Sequence, residues 1–307
     1  MIYTLTLNPA IDLFIDTDRL DEGTVNRTNS YDVQANGKGV NVSFILQRLG
    51  VPNVALGIGG GFTLAYISAQ LSAAGIDNHF IDGGGITRIN VFTHVHDGDR
   101  EFKQVNPGPV VTASGLANLK QQIKKLNVQD TLIISGSFAQ GIKPDFLSQL
   151  GQMSITQGFK YIIDTSYPEV LDALQYHPYL IKPNHAELAS WYGLPANISE
   201  NQLVELGHDL QKRGAQNVLI SCGPAGAIFI SDRVLRGNAP DVTVLNTAGA
   251  GDTMLGTFVA GMIKGTAPEV NLKNALAAGS DSAAQPWITD FTNLDQLTAQ
   301  IQITQIQ

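Results

Sequence analysis

Short apolar runs and helix-spaced apolar positions take turns along this chain. "IYTLTL", "NVALGI", "TLIIS", "YIIDTS", "YLIKP", "NVLIS" and "AIFIS" are brief and rich in Ile, Val, Leu or Tyr. Runs of that kind read as strands covered on both faces. Between many of them the period changes. "VNVSFILQRLG" sets Val42, Ile45, Leu46 and Leu49 on one helix face and stops at Gly50, and "GDTMLGTFVAGMIKG" repeats apolar pairs at Met254/Leu255, Phe258/Val259 and Met262/Ile263. Strand and helix in alternation predict an α/β fold, with a mostly parallel central sheet covered by helices on both faces.

Two stretches break the alternation. Residues 11–34 are polar, with acids and turn formers. "TRINVFTHVHDGDREFKQV" reads as a hairpin, because Ile89, Val91, Thr93 and Val95 alternate and "DGD" supplies the turn. Segments of about 11–34 and 87–106 are therefore expected to form a small β lid inserted into a single domain spanning 1–307. There is no internal repeat, long linker or low-complexity tract.

Charge and composition narrow the partners. The net charge of −8 disfavours nucleic acid, whose phosphates need a basic face, so any anionic ligand has to be caught by a few placed cations. The single cysteine, Cys222, excludes an internal disulfide and any multi-cysteine metal site. No apolar run approaches the ~20 residues of a membrane span, and the N-terminus lacks a basic leader-like region. A cytoplasmic protein with no membrane or nucleic-acid partner is expected.

Five motifs follow strand-like runs: "SGS", "DTS", "KPN", "SCG" and "NTAGAGD". In open α/β sheets ligands sit beyond the carboxyl ends of the strands, so this shared placement points to one site. In "NTAGAGDTMLGTF" the N–H groups of Ala250, Gly251 and Asp252 lie at a helix start, which suits an anion. A carboxylate there would repel phosphate unless it takes a proton; the plainer reading is a helix cap. In "ANGKGVNVS", Gly37 and Gly39 flank Lys38 before a helix, although the spacing is not that of a Walker A loop. "GIGGGF" fails the dinucleotide pattern at Phe62 and reads as a strand-to-helix turn. Arg88 opens the hairpin and suits a phosphate. Asn184 and Glu187 stand three apart at a helix start, as a cap or as oxygen ligands for magnesium. His94 and His96 share a strand face without an evident third ligand and are given no role.

Together these residues resemble the ribokinase-like (PfkB-type) carbohydrate kinases over essentially the whole chain, most nearly the bacterial 1-phosphofructokinases and tagatose-6-phosphate kinases. The resemblance is carried by "TLNPAID", "GKGVNVS", "TRINV", "SGS", "KPNHAEL", "SCGPAGA" and "NTAGAGD". It implies a three-layer α/β/α fold with a β lid, and ATP and Mg2+ as the reaction partners of a phosphosugar. Asp252 would be the general base, with Gly249, Ala250 and Gly251 forming the anion hole. Asp12, Gly37, Asn41 and Ser137 would meet the sugar, and Lys38 and Arg88, with Arg27 from the lid, its phosphate. Asn184 and Ser221, Gly223, Pro224, Ala225 and Gly226, with Gly249 and Gly251, would line the nucleotide pocket. Glu187, Asn184 and Asp164 would hold the metal through water. Lids of this family often pair in homodimers. Asn36, "SGSFAQG" without its usual proline, "EFKQVN" and "GFTLAYI" depart from the family pattern.

The activity this implies is ATP-dependent phosphorylation of a ketohexose phosphate. Fructose 1-phosphate, converted to the 1,6-bisphosphate, is favoured over tagatose 6-phosphate and fructose 6-phosphate. Two other readings remain: a kinase of an unphosphorylated sugar or nucleoside, in which Lys38 and Arg88 are structural, and a non-catalytic sugar-phosphate sensor.

Overall fold

The computed structural model describes residues 1–306. Each short apolar run forms a strand, and further strands appear beside them: β1 (Ile2–Thr6), β2 (Ala10–Thr17), β3 (Ser30–Asn36), β4 (Asn53–Gly59), β5 (Asp77–Asp82), β6 (Arg88–Val95) and β7 (Arg100–Gln104). The second half adds β8 (Thr131–Ser135), β9 (Lys160–Asp164), β10 (Leu180–Ile181), β11 (Val218–Ser221), β12 (Ala227–Ile230), β13 (Val234–Gly237) and β14 (Ile303–Gln305). Ten strands make one sheet in the order β14-β13-β12-β11-β10-β9-β8-β1-β4-β5. From β5 to β11 the pairing is parallel, and β11 to β14 is antiparallel.

Alternation along each strand builds the layers. Leu132 and Ile134 of β8 join one core while Ile133 joins the other; Val218 and Ile220 of β11 are split in the same way from Leu219. The first core is closed by helices Ala113–Ile123, Phe146–Gln157, His185–Trp191 and Glu200–Lys212, the second by Lys38–Arg48, Ala250–Ile263 and Pro268–Ala283. The sheet between two helix layers is the three-layer α/β/α arrangement expected. Helix Ala250–Ile263 is buried from Asp252 to Ala260, because it packs both on Lys38–Arg48 and on Pro268–Ala283.

The chain leaves β1 toward β4 and β5, then returns to β8 on the other side of β1 and proceeds toward β11. Strand order therefore reverses at the β1/β8 pair, which opens a crevice at their carboxyl ends. The remaining strands form a second sheet in the order β3-β2-β6-β7. β2 and β6 are parallel; the β2/β3 and β6/β7 pairs are antiparallel. The polar stretch 11–34 thus carries more strand than its composition suggested, since β2 spans "AIDLFIDT" and only the connection to β3 is irregular. One expectation is corrected: "NTAGAGD" does not directly follow a strand. β13 ends at Gly237, and residues 238–249 cross to the helix start without a strand or helix.

Candidate active site

Helix Ala250–Ile263 begins at Gly249, whose φ of +82° is the left-handed backbone that favours glycine; a Cβ there would also lie 2.8 Å from Ile288 Cγ2. Beyond it, the N–H groups of Gly251 and Asp252 have no backbone acceptor among the described residues, whereas Ala250 N–H makes a long 3.4 Å bond to the Thr247 carbonyl. Free N–H groups at the positive end of a helix bind anions. Gly37 and Gly39 let the Lys38 turn lie on β1, where an added Cβ would meet Thr6 at 2.9 and 2.5 Å. That contact brings helix Lys38–Arg48 alongside Asp252.

Asp252 is 5% exposed. Burial pushes its carboxyl up to about 6, aided by the like charge of Asp164; Lys38, the Asn41 hydrogen bond and Lys182 oppose the shift. Asn41 Nδ2 donates to Asp252 Oδ2 at 2.8 Å and to Asn36 Oδ1 at 2.9 Å. Asn36 Nδ2 donates to Asp12 Oδ2 at 2.6 Å, and Asn90 Nδ2 donates to Asp12 Oδ1 at 2.7 Å. One chain of hydrogen bonds therefore joins the small sheet to the helix start. Burial raises Asp12 from its ordinary value, against the pull of Asn90, Arg88 and Asn36.

Asp164, at the end of β9, is fully buried. Burial alone would raise its carboxyl, but Lys182 Nζ at 3.1 Å and Lys38 Nζ at 3.5 Å hold it below the usual range. The Asp164 charge in turn raises Lys38 and keeps it protonated. Lys38, Arg88, Asn8, Ser137 and Glu187 line one cleft of about 300 Å³ at the β1/β8 crevice. Arg88 reaches it by donating to the Asn8 and Asn106 carbonyls, each at 3.1 Å.

On the neighbouring strand ends, Asn184 and Glu187 form a reciprocal capping box: Asn184 Oδ1 accepts from Glu187 N–H at 2.8 Å, and Glu187 Oε2 from Asn184 N–H at 2.9 Å. The cap reading and the ligand reading are compatible, because Glu187 Oε1 makes no hydrogen bond among the described residues and Glu187 still lines the cleft. Ser221 pairs with Asn184, which sets the tight turn Gly223–Ala225 next to it. Arg27 lies in the exposed β2–β3 connection and is not brought into the cleft.

Buried polar atoms are normally satisfied. Here Thr6 Oγ1, Asn8 Oδ1, Asn41 Oδ1, Ser135 Oγ and Thr165 Oγ1 are buried without a hydrogen-bond partner, and so is Asp164 Oδ2, whereas Asp164 Oδ1 faces both lysines. Thr6, Asn8 and Ser135 line the cleft, where a polar ligand and its water would satisfy them. The sequence motifs assign no role to Asn36, Asn90, Asn8 or Lys182. Asn36 departs from the family pattern, yet it is the residue linking Asp12 to Asn41. Asn8 and Lys182 lay inside quoted motifs, but only the fold shows that each faces the cleft or Asp164.

The pfkB family carbohydrate kinase pattern matches residues 5–286. The chain belongs to that family. It is 43% identical to the D-tagatose-1-phosphate kinase of Bacillus licheniformis, over 100% of both chains. It is also 34% identical to the 1-phosphofructokinase of Borreliella burgdorferi, over 100% of this chain and 99% of that one. Among solved structures it superposes on phosphofructokinase-2 from Escherichia coli in complex with substrates and products with a TM-score of 0.88 at 25% identity, covering 97% of this chain and 98% of the other. The protein is thus a carbohydrate kinase of the pfkB family, an enzyme that phosphorylates a hydroxyl group, and its fold is ribokinase-like. Among the described residues no helix is long and apolar enough to cross a membrane.

Proposed function

We propose that this kinase transfers the γ-phosphoryl group of ATP to O6 of a ketohexose 1-phosphate, with fructose 1-phosphate as its acceptor and fructose 1,6-bisphosphate as its product. The observation that carries this reading is the Asp252 carboxylate, buried at a helix N-terminus whose Gly251 and Asp252 N–H groups are free, with the charges of Lys38 and Lys182 acting on it. As the acceptor oxygen attacks the γ-phosphorus, its proton passes to Asp252, the new O–P bond forms, and the bond from phosphorus to the ADP oxygen breaks. The N–H groups and Lys38 balance the charge of the transferring group, which is most of what phosphoryl transfer asks of a protein. An anion-hole donor of this kind is typically worth about 3 kcal/mol. A carboxyl at about 6 is mostly ionised at neutral pH and still basic enough to take the proton.

The sugar would lie between Asp12, Asn41 and Asn90, with its phosphate at Arg88, Asn8 and Ser137. ATP would lie across Asn184 and the Ser221–Gly226 turn. The donor set suits Mg2+: Glu187 Oε1 and Asp164 Oδ2 are hard oxygens with no donor on them, and they would hold a hydrated ion. When bound, Mg2+ supplies charge neutralisation on the nucleotide phosphates. The exposed outer residues of the small sheet, Tyr31 and Phe102 among them, support pairing with a second copy through that sheet. Light scattering at several concentrations checks this, and a monomer throughout would refute it.

The 43% identical relative supports D-tagatose 1-phosphate, the C4 epimer, as the second reading. The test is coupled ADP release with Mg·ATP against fructose 1-phosphate, tagatose 1-phosphate, tagatose 6-phosphate, fructose 6-phosphate and free fructose. The highest kcat/KM is expected for fructose 1-phosphate. A clear preference for either tagatose phosphate would keep the mechanism and change the acceptor. Turnover of the free sugar alone would make Arg88 structural and leave Lys38 to the transferring group, and ATP binding without turnover of any sugar would favour a sensor.

A further inference from the structure

His94 lies near the carboxyl end of β6, and His96 follows one residue beyond the strand. The sequence showed no third group beside them, but the tertiary structure supplies one. β2 and β6 run parallel in register, so Asp12 faces Asn90, Phe14 faces Phe92 and Asp16 faces His94. These side chains form a row along one face of the small sheet. Its inner end is the Asp12–Asn90 hydrogen bond at the cleft, and its middle rung is the Phe14–Phe92 stack, with ring centroids 5.0 Å apart. At the outer end, His94 Nδ1 lies 3.3 Å from Asp16 Oδ2 and His96 Nε2 lies 3.0 Å from Asp16 Oδ1. Ligand atoms of the three residues all fall within 4.8 Å of one another.

From this geometry we propose that Asp16, His94 and His96 bind a divalent transition metal of the zinc class. Two ligands held about 2.0–2.1 Å from a tetrahedral ion stand roughly 3.4 Å apart, so small side-chain adjustments would place an ion among these atoms. Imidazole nitrogen with carboxylate oxygen selects zinc-like ions over Mg2+, which prefers oxygen alone. The site therefore does not compete for the ion that accompanies the nucleotide.

Groups behind the ligands fit as well. The other nitrogen of His94, Nε2, is 3.0 Å from Asp99 Oδ1, and Asn29 Nδ2 donates to Asp16 Oδ1 at 3.2 Å and to Asp18 Oδ1 at 2.8 Å. A carboxylate behind a ligating histidine fixes its ring and strengthens it as a ligand. The three ligands are 35–52% exposed, which gives an ion access and leaves coordination positions for water. A bound ion would tie β2 to β6, the two strands that carry Asp12 and Asn90 at the cleft.

The test is a calorimetric titration of zinc chloride into the metal-stripped, full-length protein, with a thermal-shift measurement alongside. One saturable site per chain and a raised Tm are expected. His96→Ala and Asp16→Asn should each weaken binding at least about tenfold, and Asp99→Asn, behind the ligands, by about tenfold. Turnover with Mg·ATP and no added zinc should match the parent protein in all three variants, which establishes that they are folded. The absence of a one-to-one site in the parent protein would overturn the proposal. Unchanged affinity in both His96→Ala and Asp16→Asn would overturn it too, by placing zinc on another donor such as Cys222.

Discussion

The carboxyl edge of the ten-stranded sheet and the small four-stranded sheet hold polar groups under opposite conditions. At the edge, Asp164 and Lys182 are 0% and 4% exposed and compensate one another, while Asp252 is buried and held by Asn41, with strands and helices packed on both sides. In the small sheet β7 is exposed along its whole length, and the Asp16–His94–His96 cluster faces solvent. Electrostatic interactions are stronger where water is excluded, which is why transition-state charge is best handled at the edge. Contacts on the exposed sheet are individually weaker and easier to vary, which suits recognition of a particular sugar. Arg88 and Asn90 lie at the base of the small sheet, where the two environments meet.

If this contrast is right, substitutions at the edge act on kcat and stability, and those at the base of the small sheet act on KM. The largest effect is expected for Asp252→Asn, which removes the proton acceptor and should lower kcat by about 10²–10⁴-fold while Mg·ATP still binds. A coupled assay with a parallel nucleotide-binding titration checks this; near-normal turnover would remove Asp252 from the mechanism. Lys182→Met leaves Asp164 with only the more distant Lys38, and a broken buried pair costs about 3 kcal/mol. Urea denaturation measures that loss, and an unchanged midpoint would mean that Lys38 alone compensates the acid.

A third prediction uses pH. Asp252 is raised to about 6 and acts in its ionised form, so activity is full above that value and declines as protons are added. Between pH 7.5 and pH 5, kcat should fall about tenfold, the fraction ionised at one unit below the pKa. A flat profile over that range would show that Asp252 titrates elsewhere. The smallest effect is expected from Arg88→Gln, which should raise KM for the phosphosugar by about tenfold, the loss of one charged hydrogen-bonding partner, and leave KM for ATP alone. A fall in kcat with KM unchanged would move Arg88 from substrate recognition to the transferring phosphate, and so redraw the line between the two regions.

The fold was largely legible because its cause is local. Alternation within strands such as "TLIIS" and the 3.6-residue period of "VNVSFILQRLG" each fix which side is buried, and their order along the chain implies parallel crossovers. β2 was harder to read: Asp12 and Asp16 make "AIDLFIDT" look polar, and only pairing to β3 and β6 on both sides shows it to be a central strand. The motifs marked the site in the same way, since Asp252, Lys38 and Glu187 each sit where a helix starts. The network that joins them was not legible. Asn36 reaches Asp12 across 24 positions, Asn41 reaches Asp252 across 211, and Asn90 reaches Asp12 across 78. An asparagine's neighbours at that separation leave no periodic trace in sequence.

By itself, then, the sequence determined the layers, the strand ends that carry chemistry and the glycine turns that expose backbone, because propensity and period act over a few residues. Only the tertiary structure decided which amides connect the acids, that Asp164 holds two lysines, and that Asp16 completes a pair of histidines. Those outcomes depend on strand order and register, which long-range packing sets and no short stretch of the chain contains.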